Sequence, residues 1–287
     1  MKYKGRDKSS NIEDRRGKGA AKMMGGVSGL GIIILIVYTL LGGNPGDILG
    51  NNNITGGNIA PEVQSSQPYK ETEEEKELRE LISVVLKDTE DIWNEEFERI
   101  GYEYREPTLV IYTDSVSSAC GTQSSAVGPF YCPGDEKVYI DLDFYNELSK
   151  KFKAPGDFAM AYVVAHEVGH HVQKLLGVTD QVNKIRNQVS EKEFNKYSVR
   201  LELQADYLAG VYASKAKSMG VLDKGDLEEA LNAASQIGDD TIQKRSMGHT
   251  VPDSFTHGTS EQRQRWFYKG FQTGNLDNWD TFSADDL

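Results

Sequence analysis

Cysteine is scarce in this chain of 287 residues, which contains only Cys120 and Cys132. Two cysteines leave no cysteine-rich ligand set for a structural metal site, in which cysteine is usually prominent. Positive charge is also in short supply, because 32 Lys and Arg residues stand against 44 Asp and Glu residues and the net charge is −12. A balance this acidic argues against nucleic acid as a partner, and we expect none.

Charge is missing altogether between Lys22 and Asp47, around a core of Leu, Ile and Val residues. Residues 23–42 approach the ~20 that a helix needs to cross a bilayer, so we expect one transmembrane helix there. A cleaved signal peptide is the alternative, but no Ala-x-Ala pattern follows the apolar run. No cysteine follows the run at its end, which excludes a lipoprotein.

Basic residues crowd the segment before this run, and such residues are retained in the cytoplasm. We therefore expect a cytoplasmic segment (1–22), a single-pass anchor in the cell membrane, a flexible linker (43–70) and an extracytoplasmic domain (71–287). In an oxidising compartment Cys120 and Cys132 would form a disulfide contributing ~3 kcal/mol. Two buried free thiols are the alternative.

The domain of residues 71–287 is long enough for one sizeable core. Its apolar spacing predicts a predominantly helical α+β fold with a small sheet. The predicted helices cover residues 71–100, 144–152, 157–173, 182–189, 191–219, 227–237 and a last stretch that begins near Thr259. The predicted strands cover residues 109–112 and 137–142.

The strongest chemical signal lies in the predicted helix over 157–173. His166 and His170 are one turn apart on it and can bind one divalent metal together. Glu167 is placed to take a proton from a metal-bound water, which is the chemistry of a zinc peptidase. The pattern also arises by chance, but here it lies on an apolar helical run, and an acidic motif follows it. His171 points about 100° away from His170, so we expect it to pack or to support the site.

The acidic motif consists of Glu202 and Asp206, which lie four residues apart on one helix face. Like charges at this spacing repel each other unless a cation is near. We predict that Glu202 is the third ligand of one zinc ion per chain and that Asp206 accepts the other ring N–H of a ligating histidine. Water would occupy the fourth position, with its pKa lowered toward ~7. A surface pair near Arg200 is the alternative.

His257 precedes the last predicted helix, which Thr259 or Ser260 would cap, with Gln262 placed for a capping box with Thr259. It can donate a hydrogen bond to the oxyanion that forms during peptide hydrolysis. A local capping or packing role is the alternative.

Several of these motifs together resemble a known family. The His-Glu-Val-Gly-His helix followed by Glu-x-x-x-Asp resembles the gluzincin group of zinc metallopeptidases. More specifically, the chain resembles a bacterial family of membrane-anchored neutral zinc metallopeptidases. The motifs that carry this resemblance are Gly5-Arg6, Asn11 to Gly17, the apolar run, Cys120-Gly121, Gly128 to Pro133 and Ala165 to Gln173.

The resemblance covers nearly the whole chain and implies a zincin-like domain that hydrolyses peptide or protein substrates. In zinc peptidases an edge strand binds the substrate backbone, and we assign this role to Val138–Leu142. A catalytically silent envelope scaffold or binding module that holds zinc is the alternative from another class. A ligand set of nitrogen and oxygen atoms with a glutamate beside the first histidine favours the enzyme.

Overall fold

The computed structural model describes residues 1–17 and 69–287, which form an α+β fold dominated by helices. The helices of this part of the chain are α1 (Glu73–Arg99), α2 (Phe144–Lys150), α3 (Asp157–Leu175), α4 (Val178–Ile185), α5 (Glu191–Ser218), α6 (Asp226–Gln236), α7 (Asp239–Met247) and α8 (Ser260–Thr273). Its strands are β1 (Ile12–Asp14), β2 (Thr108–Tyr112), β3 (Ser115–Ser118), β4 (Gly121–Ser124), β5 (Phe130–Cys132) and β6 (Lys137–Asp141). The predicted mostly helical α+β class is confirmed.

Local sequence explains where several helices begin. At the start of α1, the Thr72 side chain accepts a hydrogen bond from the backbone of Glu75, whose carboxylate accepts one from the backbone of Thr72. Thr259 and Gln262 form the same reciprocal pair at α8, so the predicted capping box is confirmed. Gly177, in the left-handed conformation, ends α3, and its N–H donates to the carbonyl oxygen of Lys174. Helix α4 follows at once from Val178, earlier than predicted.

The main sheet has the strand order β1-β2-β6-β5. Strands β1, β2 and β6 are parallel, β5 runs antiparallel to β6, and β3 and β4 form a separate hairpin. The strand predicted to bind substrate, Val138–Leu142, falls mainly in β6. That assignment is wrong for Val138 and Tyr139, because both residues pair with β2 on one side and with β5 on the other. Within the described residues, the open edge beyond β6 belongs to β5.

Residues 1–17 belong to the same folded unit as residues 69–287. Strand β1 pairs with β2, with Ile12 opposite Leu109, and the backbone N–H of Lys2 donates to the carbonyl oxygen of Val221 at 2.8 Å. The predicted division, which set residues 1–22 apart from a domain beginning at residue 71, does not match this arrangement. The first residues of the chain complete the sheet.

The predicted transmembrane helix (23–42) and nearly all of the predicted linker (43–70) lie outside the described residues. Across residues 1–17 and 69–287, no helix combines the length and apolar character needed to cross a membrane.

The predicted disulfide between Cys120 and Cys132 is present, with an S–S distance of 2.01 Å. Cys132 ends β5 and is fully buried, whereas Cys120 lies in the turn between β3 and β4. The bond therefore ties the β3–β4 hairpin to the open edge of the main sheet.

Helix α3 lies among α1, α5 and α6, and nearly all of its residues are buried. Helix α8 packs against α5, and two glycines bring this pair together. A Cβ atom at Gly210 would collide with the carbonyl oxygen of Phe267, and one at Gly270 would collide with that of Tyr207. Because glycine has no Cβ, α5 and α8 approach each other backbone to backbone.

Candidate metal centre

The face of α3 that carries the two histidines lies close to α5. A Cβ atom at Gly169 would be only 3.1 Å from the carbonyl oxygen of Ala205 on α5. A glycine inside a helix costs roughly 1 kcal/mol, and this close approach explains why one occurs here. It brings Glu202 of α5 opposite His166 and His170.

Three side chains converge at this point. The Nε2 atom of His166 is 3.2 Å from Oε2 of Glu202, and Nε2 of His170 is 3.4 Å from Oε1 of Glu202. Zinc bonds of about 2.0–2.1 Å in tetrahedral geometry hold ligand atoms about 3.3 Å apart, and each histidine lies at about this distance from one oxygen of Glu202. One ligand atom from each of the three residues lies within 4.8 Å of the others, so the group can hold a metal ion. His170 and Glu202 keep 16% and 18% of their side-chain surface exposed, so small molecules can reach the cluster.

Charges in this cluster favour a cation. Burial disfavours the charged form of His166, but the carboxylates of Asp206 and Glu202 outweigh that effect and raise its pKa to about 10. The pKa of Glu202 is lowered despite its burial, with His170 the main cause. A metal ion must displace the protons that these carboxylates hold on the rings, because a histidine ligand binds metal through a free nitrogen lone pair.

Asp206 is fully buried on the opposite side of the His166 ring. Its Oδ1 atom is 2.9 Å from Nδ1 of His166 and accepts a hydrogen bond from the Tyr162 hydroxyl at 2.5 Å. Burial would raise the pKa of Asp206, but Arg263 and His166 lower it to about 2, so the carboxylate is ionised. An Nδ1–H that donates to Asp206 leaves the Nε2 lone pair free, facing Glu202, for a metal.

The ring of His170 is held by a neutral partner. Its Nδ1 atom is 2.9 Å from Oε1 of Gln173, one turn further along α3. The amide nitrogen of Gln173 donates to the carbonyl oxygen of Leu201 at 2.7 Å and to Oε1 of Gln204 at 3.1 Å. This chain of bonds from α5 fixes the second ring with its Nε2 atom toward Glu202.

Glu167 is the acidic residue next to the first histidine, and only 9% of its surface is exposed. Its burial raises the pKa of the carboxyl group, although His170 and His166 act in the opposite direction. A raised pKa suits a group that takes up a proton and releases it again near neutral pH.

A model of the family described as "Putative neutral zinc metallopeptidase" matches residues 1–282. The chain belongs to this family. It is 46% identical to the uncharacterized protein YpfJ of Escherichia coli K12, over 98% of this chain and 99% of that protein. It is 40% identical to the uncharacterized protein Rv2575 of Mycobacterium tuberculosis H37Rv, over 86% of each chain. No solved structure matches this member of the zinc metallopeptidase family.

In this member of the zinc metallopeptidase family, His171 contacts protein groups through both ring nitrogens. The Tyr131 hydroxyl lies 2.9 Å from its Nδ1 atom, and its Nε2 atom lies 2.5 Å from the carbonyl oxygen of Arg105. Burial lowers the pKa of His171, which favours the neutral ring. The residue therefore links α3 to β5 and packs, as expected from its direction on the helix.

His257 lies in the loop before α8, and 45% of its side chain is exposed. Its Nδ1 atom is 3.2 Å from Oδ1 of buried Asp239, whose other oxygen accepts hydrogen bonds from the backbone N–H groups of Thr256, His257 and Gly258. Partial burial disfavours the charged ring, but Asp239 and Glu202 raise the pKa of His257 to about 9. The negative charge of Glu202 thus acts on the His257 ring, although the hydrogen bonds of this ring go to Thr256 and Asp239 and not to the cluster.

Sequence reasoning missed three residues that support the cluster: Tyr162, Gln173 and Arg263. Two of them carried a usable signal, because Tyr162 lies four residues before His166 on α3 and Gln173 lies three residues after His170. Arg263 is distant in sequence from Asp206 and from the three residues of the cluster, and only the packing of α8 against α5 brings it there.

Proposed function

We propose that this protein is a zinc-dependent peptidase that hydrolyses peptide bonds in peptide or protein substrates. The observation that carries the proposal is the convergence of His166, His170 and Glu202, whose ligand atoms lie within 4.8 Å of one another. Buried Glu167 follows the first of these histidines in the same helix. Structural zinc sites usually fill all four positions, whereas three protein ligands leave one position for chemistry. When bound, zinc supplies a Lewis acid that makes a water molecule nucleophilic near neutral pH.

The side chains around the zinc position would divide the remaining tasks. His166, His170 and Glu202 would hold one zinc ion per chain, and Asp206 would keep the His166 ring in the orientation and tautomer that metal binding requires. Because the ligands come from only two helices in close contact, their relative positions are set by the packing of α3 on α5.

Proton transfer is assigned to Glu167, which would accept the proton of the attacking water and return it to the leaving amine. The ring of His257, held through Nδ1 by Asp239, would donate its other N–H to the carbonyl oxygen as negative charge develops there. The raised pKa of His257 supports this role, because a protonated ring can donate from both nitrogens.

The open edge of β5 is the surface that we assign to the substrate backbone. An extended peptide can add to such an edge through main-chain hydrogen bonds. Tyr131 of β5 contacts His171 of α3, so the strand is fixed relative to the helix that carries the ligands.

Replacement of Glu167 by Gln tests the proposal, because it preserves the shape of the side chain and removes the base. We expect zinc content to stay near one per chain while cleavage of a broad peptide library falls by about 10²–10⁴-fold. Glu193→Gln, at an exposed position of α5, is the matched control and should keep full activity. A wild-type protein that holds zinc but cleaves nothing in the library would favour a zinc-containing scaffold instead.

We further propose that residues 23–42 attach the protein to a membrane, because this stretch is uncharged and long enough to enter a bilayer. The disulfide between Cys120 and Cys132 supports an extracytoplasmic position for the catalytic residues, since disulfides persist in oxidising compartments.

A further inference from the structure

Arg263, in the first turns of α8, is buried to 97% although its guanidinium group is charged. A buried charge is costly unless it is paired and hydrogen-bonded. The Nε atom of Arg263 donates to Oδ2 of Asp206 at 2.8 Å, and Nη2 donates to Oδ1 at 3.0 Å. Nη2 is also 3.2 Å from the Tyr162 hydroxyl and 3.5 Å from Nδ1 of His166.

The planar guanidinium group thus donates to both oxygens of Asp206. The compact ammonium group of a lysine does not match the two oxygens in this way. Oδ1 of Asp206 then has three donors, from α3 (Tyr162 and His166) and from α8 (Arg263). Asp206 itself belongs to α5. Once its two oxygens are fixed in this way, the carboxylate cannot rotate, and the direction of the His166 ring is fixed with it.

We propose that Arg263 is a positioning residue that sets zinc affinity by holding Asp206 against His166. This inference rests on the proposed function. Arg263 exerts two effects of opposite sign, because its positive charge near a cation weakens binding while its hold on Asp206 strengthens it. The proposal states that positioning outweighs repulsion, so loss of Arg263 weakens zinc binding.

Two substitutions separate charge from geometry. Arg263→Gln removes the charge and the guanidinium group, and Arg263→Lys keeps the charge but loses the guanidinium group. We expect competition with a chelator to show zinc affinity lowered about 10-fold by Arg263→Gln and several-fold by Arg263→Lys, near the lower end of effects from residues that orient ligands. Arg265→Gln, two residues further along α8 and 43% exposed, is the matched control and should bind zinc as the wild type does.

A double-mutant comparison identifies the route of the effect. If Arg263 strengthens zinc binding through Asp206, adding Arg263→Gln to Asp206→Asn should not weaken zinc binding further, because only the repulsion by the Arg263 charge is then removed. Unchanged or tighter zinc binding in folded Arg263→Gln and Arg263→Lys proteins would overturn the inference while the proposed function stands. A wild-type protein without zinc at this site would overturn both. If Arg263→Gln does not fold, Arg263→Lys carries the test alone.

A second inference rests on independent contacts, those of residues 1–17. Arg16 is almost fully buried and forms ion pairs with Asp14 at 2.6 Å and Glu71 at 2.7 Å. A Cβ atom at Gly17 would lie 2.9 Å from Cβ of Tyr69. Gly17 and Tyr69, the residues at which the two described segments end and begin, therefore lie next to each other.

Four of the basic residues that predict a cytoplasmic N-terminus are paired with acidic residues of α1. These pairs are Lys4 with Glu77 at 3.1 Å, Arg6 with Asp88 at 2.5 Å, Lys8 with Glu80 at 2.8 Å and Arg16 with Glu75 at 3.5 Å. Residues that form ion pairs with each other must lie in the same compartment.

We infer that residues 1–17 and 69–287 lie on the same side of any membrane that residues 23–42 enter. A single crossing between them would put β1 and β2 in different compartments and break the sheet. The expectation of a cytoplasmic N-terminus with an extracytoplasmic domain is therefore incompatible with this sheet. The disulfide favours an oxidising compartment for both parts.

Cross-linking in cells tests the second inference on the full chain. Lys8→Cys combined with Glu80→Cys should be joined by a short, membrane-permeant bismaleimide, because the native side chains form an ion pair at 2.8 Å. Lys8→Cys combined with Glu98→Cys is the matched control, since Glu98 lies about 27 Å further along the same helix and should give no link.

Surface labelling supplies a readout that does not depend on the cross-link. Single variants Lys8→Cys and Lys192→Cys should react alike with a membrane-impermeant maleimide, either both in intact cells or both only after permeabilisation. Reaction of only one of them in intact cells would overturn the inference, as would the absence of the Lys8→Cys/Glu80→Cys link in folded protein.

Discussion

Glu202 and Asp206 lie one turn apart on α5, yet they contact opposite nitrogens of the same ring. Glu202 lies 3.2 Å from Nε2 of His166, and Asp206 lies 2.9 Å from Nδ1. Glu202 also reaches His170, whereas Asp206 is fully enclosed by protein donors. The two carboxylates are chemically alike, so their different roles arise from position alone.

This difference predicts unequal effects on zinc binding. Glu202→Ala should lose most of the bound zinc, because it removes one of three ligands. Asp206→Asn should keep measurable zinc with affinity lowered by about 10–100-fold, because it weakens only the support of His166. Metal analysis of both purified variants checks this, with Glu193→Ala as the control on the same helix. Full zinc in Glu202→Ala after mild chelation would place the third ligand elsewhere.

The contact between α5 and α8 depends on Gly210 and Gly270, which let the two backbones meet. Any side chain at either position would push the helices apart. The same contact carries Arg263 to Asp206, so the spacing of α5 and α8 is linked to the geometry of the candidate metal cluster.

We therefore expect Gly210→Ala to lower the free energy of unfolding by about 3 kcal/mol, at the upper end of the usual cost of overpacking. Alanine has a higher helix propensity than glycine, but this offsets at most about 1 kcal/mol of that cost. Urea denaturation measures the change, and Ser218→Ala, at an exposed position of α5, should stay within ~0.5 kcal/mol of the wild type. A Gly210→Ala protein as stable as the wild type would show that the helices separate at no cost.

The start of α1 and the N-terminal segment are joined by ion pairs around Glu71. Its carboxylate accepts hydrogen bonds from Arg79 at 2.8 Å and from Arg16 at 2.7 Å. These partners, Arg79 first, lower the pKa of Glu71 to about 2, against burial that would raise it. The folded protein therefore binds the Glu71 proton less readily than the unfolded chain does.

Because the pKa of Glu71 is lower in the folded state, its contribution to stability is fully present above the ordinary pKa of about 4.5 and is lost as pH falls toward about 2. Glu71→Gln should therefore be less stable than the wild type at pH 7, and the difference should shrink between pH 5 and pH 3. Urea denaturation across this range provides the measurement. The control is Glu73→Gln, which replaces a 91% exposed carboxylate. A difference that persists unchanged at pH 3 would contradict the assignment.

Features carried by local periodicity were predictable from the chain, and features made by distant contacts were not. The helix around His166 follows from apolar spacing, and the sequence distance between Glu202 and Asp206 indicates their shared face. Strand β1 has only three residues, Ile12 to Asp14, two of them acidic, so it shows no strand pattern. Its partner β2 begins far along the chain at Thr108, and no local signal connects the two.

The same limit explains why the role of β6 was wrongly predicted and why Arg263, which supports the site, was not predicted. A short strand with an apolar centre, such as β6, looks the same at an edge or in the middle of a sheet, and only pairing with β5 distinguishes the two positions. Arg263 resembles any basic residue of an amphipathic helix until α8 is placed against α5. Tertiary packing determines both cases.

Because β1 completes the sheet, deletion of residues 2–17 should destabilise the whole protein. The deletion would uncover one edge of β2 and leave acidic residues of α1, such as Glu80 and Asp88, without their partners. At roughly 1 kcal/mol for each net hydrogen bond, we expect a loss of several kcal/mol and a lower midpoint in thermal unfolding. Lys2→Ala, at an exposed position, is the control. An unchanged midpoint would show that the segment is dispensable for folding.

Asp206 of α5 is contacted by residues of α3 and α8, and these helices are synthesised at different times. Synthesis delivers His166 and His170 first, then Glu202 and Asp206, and only near its end Arg263. A chain stopped short of residue 260 has the three residues of the candidate metal cluster but lacks the group that fixes Asp206, and it also lacks the capped start of α8. The candidate metal site would therefore gain the support of Arg263 only after the last helix has been made and has docked against α5.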